Sequence, residues 1–165
     1  MLELRQSKLE LRRGRVMNET ENLSEQAPAD KKLRILITDD SKLLRKKLRE
    51  ELEKLGCEVI EATNGKEAIT MVLECEPDGV ILDIVMPEVG GIEALQVIRE
   101  ISPNVPIVML SSAGTPKKLM QTLKMGAIDF IQKPYTKEQI SRAIGTIRRT
   151  REKNLKRAAA APTAE

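Results

Sequence analysis

The sequence predicts an α/β protein built on a doubly wound, five-stranded parallel sheet with five flanking helices. Short apolar segments alternate along the chain with segments whose apolar residues recur every three to four positions, the pattern of strands alternating with amphipathic helices. The first, third and fourth segments have wholly apolar centres (ILI, VIL and IVML), whereas the second (CEVIE) and fifth (AIDFIQ) carry polar residues within them. Because central strands of a parallel sheet are covered on both faces, this difference favours the order 2-1-3-4-5, although spacing alone leaves other doubly wound orders open.

Each element has its own sequence signal. The predicted strands are residues 33–38, 57–61, 80–83, 106–111 and 127–132. Ser41, Asn64 and Thr136 are suitable N-caps for the first, second and fifth helices, and Thr115 followed by Pro116 marks the start of the fourth. The helical period is clearest in three sets, namely Leu44, Leu48, Leu52 and Leu55, then Ile92, Leu95, Ile98 and Ile101, and finally Ile140, Ile144 and Ile147.

Three regions follow from composition. Residues 1–32 are predicted to be an N-terminal extension, disordered or partly helical, because residues 17–30 contain acids but no Lys or Arg. Residues 33–150 form the folded domain. Residues 151–165 are a basic helix end followed by a loose tail from Ala158. The cations near this end are either a solvated helix face or a contact for an acidic partner or membrane surface.

Composition also excludes several functions. The chain has no histidine, which removes Ser–His and Cys–His catalysis and histidine metal sites. Two cysteines without metal-ligand spacing indicate reduced core thiols in a cytoplasmic protein. The aromatic fraction of 1% offers no stacking platform for nucleic-acid bases. No apolar stretch approaches the roughly 20 residues of a membrane span.

The chemically useful residues follow the predicted strands. The first strand is followed by Asp39 and Asp40, the third ends at Asp83, the fourth at Ser111, and Lys133 follows the fifth. Each alone is an ordinary turn or surface residue, but the carboxyl ends of parallel strands meet at one edge, where ligands bind. Three carboxylates in that space repel one another unless a cation compensates, and an all-oxygen ligand set suits Mg²⁺ or Mn²⁺.

The motifs together resemble a known family. The stretches ILITDDS, VILDIVMPEVGGIEAL, PIVMLSSAG and GAIDFIQKPY are similar to the receiver domains of two-component response regulators, and most resemble the chemotaxis-type, stand-alone receivers. The resemblance covers about residues 33–150. It implies a flavodoxin-like fold and a phosphorylation-operated switch.

The resemblance also implies roles for individual residues. Asp83 would be the phosphoacceptor. Asp39, Asp40, Asp83 and the backbone carbonyl of Val85 would bind Mg²⁺, with Mn²⁺ as a substitute. Val85 is apolar where many relatives carry a polar side chain, and we expect it to lengthen the phosphoryl lifetime.

The same resemblance implies the parts of a switch. Ser111 and Lys133 would contact the phosphoryl group, and Phe130 would follow Ser111 inward on phosphorylation. The Lys133–Pro134 peptide bond is expected to be cis. The fourth helix, fifth strand and fifth helix would then change their affinity for a partner.

The function expected from the resemblance is that of a single-domain response regulator, not an enzyme. Its partners would be a histidine kinase or histidine phosphotransfer domain and a downstream output protein, with no nucleic acid, and the protein would be a monomer or a phosphorylation-dependent dimer. An unphosphorylated scaffold (pseudo-receiver) and a receiver fragment of a longer regulator are the alternatives. A phosphatase of the haloacid dehalogenase type is disfavoured because Val85 stands where that class has a second Asp.

Overall fold

The computed structural model describes residues 31–112 and 116–160. Five strands and five helices alternate along this part of the chain. They are β1 (Arg34–Thr38), α1 (Lys42–Lys54), β2 (Glu58–Ala62), α2 (Gly65–Cys75), β3 (Gly79–Asp83), α3 (Gly91–Ile101), β4 (Ile107–Ser111), α4 (Pro116–Lys124), β5 (Asp129–Gln132) and α5 (Lys137–Ala160).

The strands form one parallel sheet in the order β2-β1-β3-β4-β5, which confirms the predicted fold and strand order. Every residue of β3 and β4 is buried, as expected for central strands covered on both faces. The edge strands β2 and β5 expose Glu58 and Phe130. The central strands β3 and β4 are thus fully buried and the edge strands are partly exposed, as the predicted order requires.

Two apolar clusters cover the two faces of the sheet. One cluster joins the sheet to α1 and α5 through residues such as Leu48, Leu52 and Ile144. The other joins it to α2 and α3 through residues such as Val72, Leu95 and Ile98, with Leu119 of α4 packed against it. Helices thus cover both faces, and the carboxyl edge of the sheet stays available for polar groups.

Four predicted strands begin one or two residues before the observed ones, and for β2 and β5 the reason is a buried residue that lies outside the strand. Cys57 and Ala127 are buried, but their amides bond to the preceding helices, on Leu52 O at 3.0 Å and on Thr122 O at 3.0 Å. These amides close helix ends, so they take no part in the strand ladder.

The last helix is longer than the sequence indicated. It includes Ala158–Ala160, which were assigned to a loose tail, and alanine has the highest intrinsic helix propensity. The predicted N-cap Thr115 and residues 1–30 lie outside the described part of the chain. Among the described residues, no helix is long and apolar enough to cross a membrane.

Candidate functional site

The sheet brings the predicted polar residues to one edge. Asp39 directly follows β1, Asp83 ends the adjacent strand β3, and Ser111 ends β4 beside it. Lys133 directly follows β5, and its backbone amide bonds to Ser111 O at 2.7 Å. Residues far apart in sequence therefore meet where parallel-sheet proteins bind ligands.

Three carboxylates form the centre of this edge. Asp39, Asp40 and Asp83 each offer one oxygen, and these oxygens all lie within 4.8 Å of one another. Asp39 and Asp83 are 2% and 4% exposed, whereas Asp40 is exposed to solvent. A group of hard oxygen donors with one open side fits Mg²⁺ or Mn²⁺, which keep water ligands, better than it fits softer metals.

Lys133 bridges the two buried carboxylates. Its Nζ donates to Asp39 Oδ2 at 2.7 Å and to Asp83 Oδ2 at 2.9 Å. The side chain is 13% exposed, so these are buried, charge-assisted contacts. The following Lys133–Pro134 peptide bond is cis, the isomer expected from the resemblance.

The pKa values of the bridged groups reflect this burial. Burial raises the pKa of Asp83, the hydrogen bond and charge of Lys133 oppose the rise, and the charge of Asp39 adds to it. Burial lowers the pKa of Lys133, but the hydrogen bonds and charges of Asp39 and Asp83 more than offset this, so it is raised overall. Lys133 therefore remains charged at neutral pH.

Asp39 is held by the start of α1. The Ser41 amide donates to Asp39 Oδ1 at 2.9 Å, and the Ser41 side chain accepts from the Leu44 amide at 3.3 Å as the predicted N-cap. Arg45 Nη1 donates to the carbonyl oxygen of Asp39 at 2.7 Å. The beginning of α1 and the acidic loop are thus one hydrogen-bonded unit.

Asp83 is fixed by the loop that leads into α3. The amide of Val85 donates to Asp83 Oδ1 at 3.3 Å. The amide of Gly91 bonds to Ile84 O at 2.9 Å, and a Cβ at position 91 would lie only 1.9 Å from Asp83 O. The loop can therefore pass this close to Asp83 only because residue 91 is glycine.

The remaining predicted residues surround this centre. Ser111 is 3% exposed, whereas the side chain of Val85 is 62% exposed beside Asp83. Phe130 is 37% exposed on edge strand β5, opposite Met109 of β4. The aromatic ring therefore lies outside the core.

Tyr135 lies near the same charges. It is half-buried, and burial raises its pKa, while the charge of Lys133 lowers it and the charge of Asp39 raises it. It packs against the cluster that joins the sheet to α1 and α5.

Sequence reasoning missed two contributors, the Ser41 amide and the Arg45 side chain. A backbone amide carries no sequence signal. Arg45 carried none either, because it is one of several cations near the start of α1, among them Lys42 and Lys46, and the sequence does not distinguish it from them.

A doubly wound sheet with three carboxylates and a lysine at its carboxyl edge defines a class of α/β proteins, and sequence comparison places the chain within that class. A family model described as the response regulator receiver domain matches residues 35–145. The chain therefore belongs to the response regulator receiver domains, which are signalling modules.

Individual relatives agree with this family. The chain is 40% identical over 115 residues to the chemotaxis protein CheY of Thermotoga maritima, an alignment that covers 69% of this chain and 96% of that protein. It is 44% identical over 105 residues to the protein-glutamate methylesterase/protein-glutamine glutaminase of Archaeoglobus fulgidus, covering 62% of this chain but 30% of that enzyme.

A solved structure supports the same placement. The crystal structure of the CheX–CheY–BeF3–Mg²⁺ complex from Borrelia burgdorferi matches with a TM-score of 0.67 and 30% sequence identity. The match covers 70% of this chain and 88% of that one.

Proposed function

We propose that this protein is a single-domain response regulator that accepts a phosphoryl group on Asp83. The observation that carries this proposal is the bridge from Lys133 Nζ to both buried carboxylates, at 2.7 and 2.9 Å, beside the exposed Asp40. A cation that contacts the acceptor carboxylate, together with an open acidic cluster, provides the charge neutralisation that phosphoryl transfer requires.

The transfer uses one oxygen of ionised Asp83 as the nucleophile. That oxygen attacks the phosphorus of a phosphohistidine, a P–O bond forms, and the P–N bond breaks with its electron pair going to the imidazole nitrogen. Burial makes the carboxylate more basic, and Lys133 favours its ionised form. Lys133 also lies where it can neutralise charge on the transferred group.

The metal site would consist of Asp39, Asp40, Asp83 and the backbone carbonyl of Val85. Bound Mg²⁺ or Mn²⁺ would supply positive charge to the phosphoryl oxygens. The loop and α1 contacts described above hold two of these carboxylates in fixed orientations. The donor set and its one solvent-exposed member, Asp40, support this assignment.

The signal would leave through the surface of α4, β5 and α5, which we call the output face. Ser111 lies on β4 beside Asp83, and Phe130 lies on the neighbouring strand with its ring exposed. Movement of Ser111 towards a phosphoryl group would leave space that Phe130 can enter. The solved complex of a CheY with CheX supports the expectation of a protein partner.

The single-domain assignment rests on the share of each relative that is matched. The alignment covers 96% of the Thermotoga CheY, so this chain contains a counterpart of nearly that whole protein. The match to 30% of the Archaeoglobus methylesterase favours a second role, as the receiver part of a longer regulator. Phosphoryl acceptance on Asp83 is common to both roles.

The decisive experiment is incubation with acetyl phosphate and Mg²⁺ followed by intact mass measurement. We expect a gain of one phosphoryl group that is removed by hydroxylamine, prevented by EDTA and lost in Asp83→Asn. Asp129→Asn is the matched control, because Asp129 lies on β5 outside the acidic cluster. A modification that persists in Asp83→Asn would contradict the assignment, and no modification of the wild type by any donor would favour the scaffold.

A further inference from the structure

Arg45 connects the acidic loop to edge strand β2. Its Nη1 donates to Asp39 O at 2.7 Å, and its Nε lies 3.5 Å from Glu61 Oε1. The second contact is an ion pair without hydrogen-bond geometry, since Nε has no hydrogen-bond partner among the described residues. The side chain is 13% exposed, so its charge is largely withdrawn from water.

The position of Arg45 is unfavourable for helix stability alone. It follows directly on the first turn of α1, at the end of the helix where a cation gains nothing from the helix dipole. Its partial burial adds a desolvation cost that one ion pair with half-exposed Glu61 offsets only in part. The contact with Asp39 is therefore the specific feature that this arrangement provides.

The carbonyl that Arg45 contacts belongs to the peptide unit between Asp39 and Asp40. The amide of Asp39, which belongs to the preceding peptide unit, donates to Ala62 O of β2 at 3.3 Å. A peptide unit is planar, so a fixed carbonyl also fixes the plane from which the Asp40 backbone continues. Arg45 thereby acts on the direction of Asp40, for which the structure shows no side-chain hydrogen bond within the described residues.

We propose that Arg45 is a positioning residue for the divalent-cation site, acting through the peptide unit between Asp39 and Asp40. This role rests on the proposed function, because it requires that the three carboxylates bind Mg²⁺. Side chains that orient metal ligands from outside the coordination sphere typically contribute about 10- to 100-fold to metal affinity.

Arg49 provides a matched control one helical turn away. Its Nη1 contacts Glu61 Oε2 at 2.6 Å and its Nε contacts Glu53 Oε1 at 2.9 Å, so it shares Glu61 with Arg45. Within the described part of the chain its side chain contacts Glu53 and Glu61 but not the acidic loop. A variant at Arg49, like a variant at Arg45, therefore removes one positive charge and one ion pair with Glu61. It leaves the contact between Arg45 and the Asp39 carbonyl in place.

The sign of the effect separates positioning from simple electrostatics. Removal of a positive charge near three carboxylates strengthens cation binding, because the lost charge no longer repels the cation. Loss of ligand orientation weakens it. A weaker metal affinity in a variant that lacks the charge is therefore the signature of positioning.

The test is titration of the full chain with Mn²⁺, monitored by the EPR signal of the free ion, for wild type, Arg45→Met, Arg45→Lys and Arg49→Met. We expect the Mn²⁺ dissociation constant to rise about tenfold in Arg45→Met. It should rise less in Arg45→Lys, which keeps a positively charged donor group, and stay at or below the wild-type value in Arg49→Met. Thermal unfolding without metal shows whether each variant is folded. If Arg45→Met does not fold, the milder substitution Arg45→Lys is compared with wild type instead.

Three results would overturn the proposal. Unchanged or tighter Mn²⁺ binding in both Arg45 variants would leave Arg45 with a purely structural role, whatever its unfolding temperature. Equal weakening in Arg49→Met would assign the effect to Glu61. If the wild type binds no Mn²⁺ and Asp40→Asn changes nothing, the metal site itself is wrong and the role of Arg45 falls with it.

Discussion

At the scale of single residues, Lys133 is a largely buried cation, with a side chain that is 13% exposed. It places one positive charge between two carboxylates that are almost completely buried. Removal of one partner from a buried ionic group costs more than the pair contributes, because the remaining charges lose their compensation.

We therefore expect Lys133→Met to lower the metal-free free energy of unfolding by about 3 kcal/mol. Added Mg²⁺ should raise the unfolding temperature of this variant more than that of wild type, since the cation then compensates both carboxylates. Chemical unfolding without Mg²⁺ measures the first effect, and thermal unfolding with and without Mg²⁺ measures the second. Lys54→Met is the control, because Lys54 is 64% exposed and its pair with Glu51 should contribute less than about 1 kcal/mol. Equal stability of the two variants would contradict the prediction.

We expect Val85 to influence a second property of the same centre, the lifetime of the phosphoryl group. Val85 is 62% exposed, and its amide donates to Asp83 Oδ1, so its side chain lies at the solvent-facing side of the loop that follows Asp83. We expect Val85→Asn to shorten the lifetime of phosphorylated Asp83, because an amide can orient a water that an apolar side chain repels. Decay of the phosphorylated mass with time measures this, and Val85→Ile should keep the wild-type lifetime. Equal lifetimes in all three proteins would rule out a role for the side chain.

At the scale of elements, two helical glycines differ in the space around them: Gly91 begins α3 and Gly145 lies within α5. A Cβ at Gly91 would lie 1.9 Å from Asp83 O, which is backbone and cannot yield. A Cβ at Gly145 in α5 would approach nothing closer than Arg149 Nη1 at 3.4 Å, the flexible end of a side chain.

We expect Gly91→Ala to destabilise the protein by about 3 kcal/mol through this overlap. Gly145→Ala should stabilise it by about 0.5–1 kcal/mol, because alanine loses less backbone entropy than glycine in a helix. Thermal unfolding of both variants is the measurement. A loss of stability in Gly145→Ala would contradict the open space around that position. Unchanged stability in Gly91→Ala would contradict the close approach of Gly91 to Asp83 O.

The elements also show what sequence patterns can establish. The order of the strands was favoured by polarity, because the centres of β1, β3 and β4 are apolar whereas edge strand β2 carries exposed residues such as Glu58. The start of β2 could not be predicted in this way. Apolar Cys57 is buried like a strand residue, yet its amide closes α1, and a hydrogen-bond partner is not encoded in hydrophobicity.

At the scale of the whole molecule, the residues of the site were predictable because the topology itself brings the strand ends together. Their connections were not, because the contact from Arg45 to a backbone carbonyl depends on the exact placement of α1 against β1. Polar residues at strand ends thus predicted which side chains meet, and only the structure showed what holds them.

The two cysteines differ in exposure, so their relative reactivity reports how readily the core opens. Cys57 is 5% exposed within the core, and burial raises the pKa of its thiol, partly opposed by the charge of Arg148. Cys75 is partly exposed and lies 4.0 Å from Met71 Sδ.

We expect iodoacetamide at pH 8 to modify Cys75 first and Cys57 about tenfold or more slowly. The raised pKa leaves less of Cys57 as the reactive thiolate, and about 1.4 kcal/mol of opening free energy gives a further factor of ten. Mass measurement with time follows both reactions, and Cys75→Ser isolates the slower one. Denaturant should remove the difference, whereas equal rates in the native protein would mean that the core near Cys57 opens freely.

The position of Tyr135 has an optical consequence. The chain contains no tryptophan and one tyrosine, so all of its tyrosine fluorescence comes from this single ring. Because the charges of Lys133 and Asp39 act on its hydroxyl, the ring lies within the electrostatic reach of the acidic centre. The protein therefore contains its own fluorophore beside the proposed site, and a change in its emission on adding Mg²⁺ or a phosphodonor can be followed without any label.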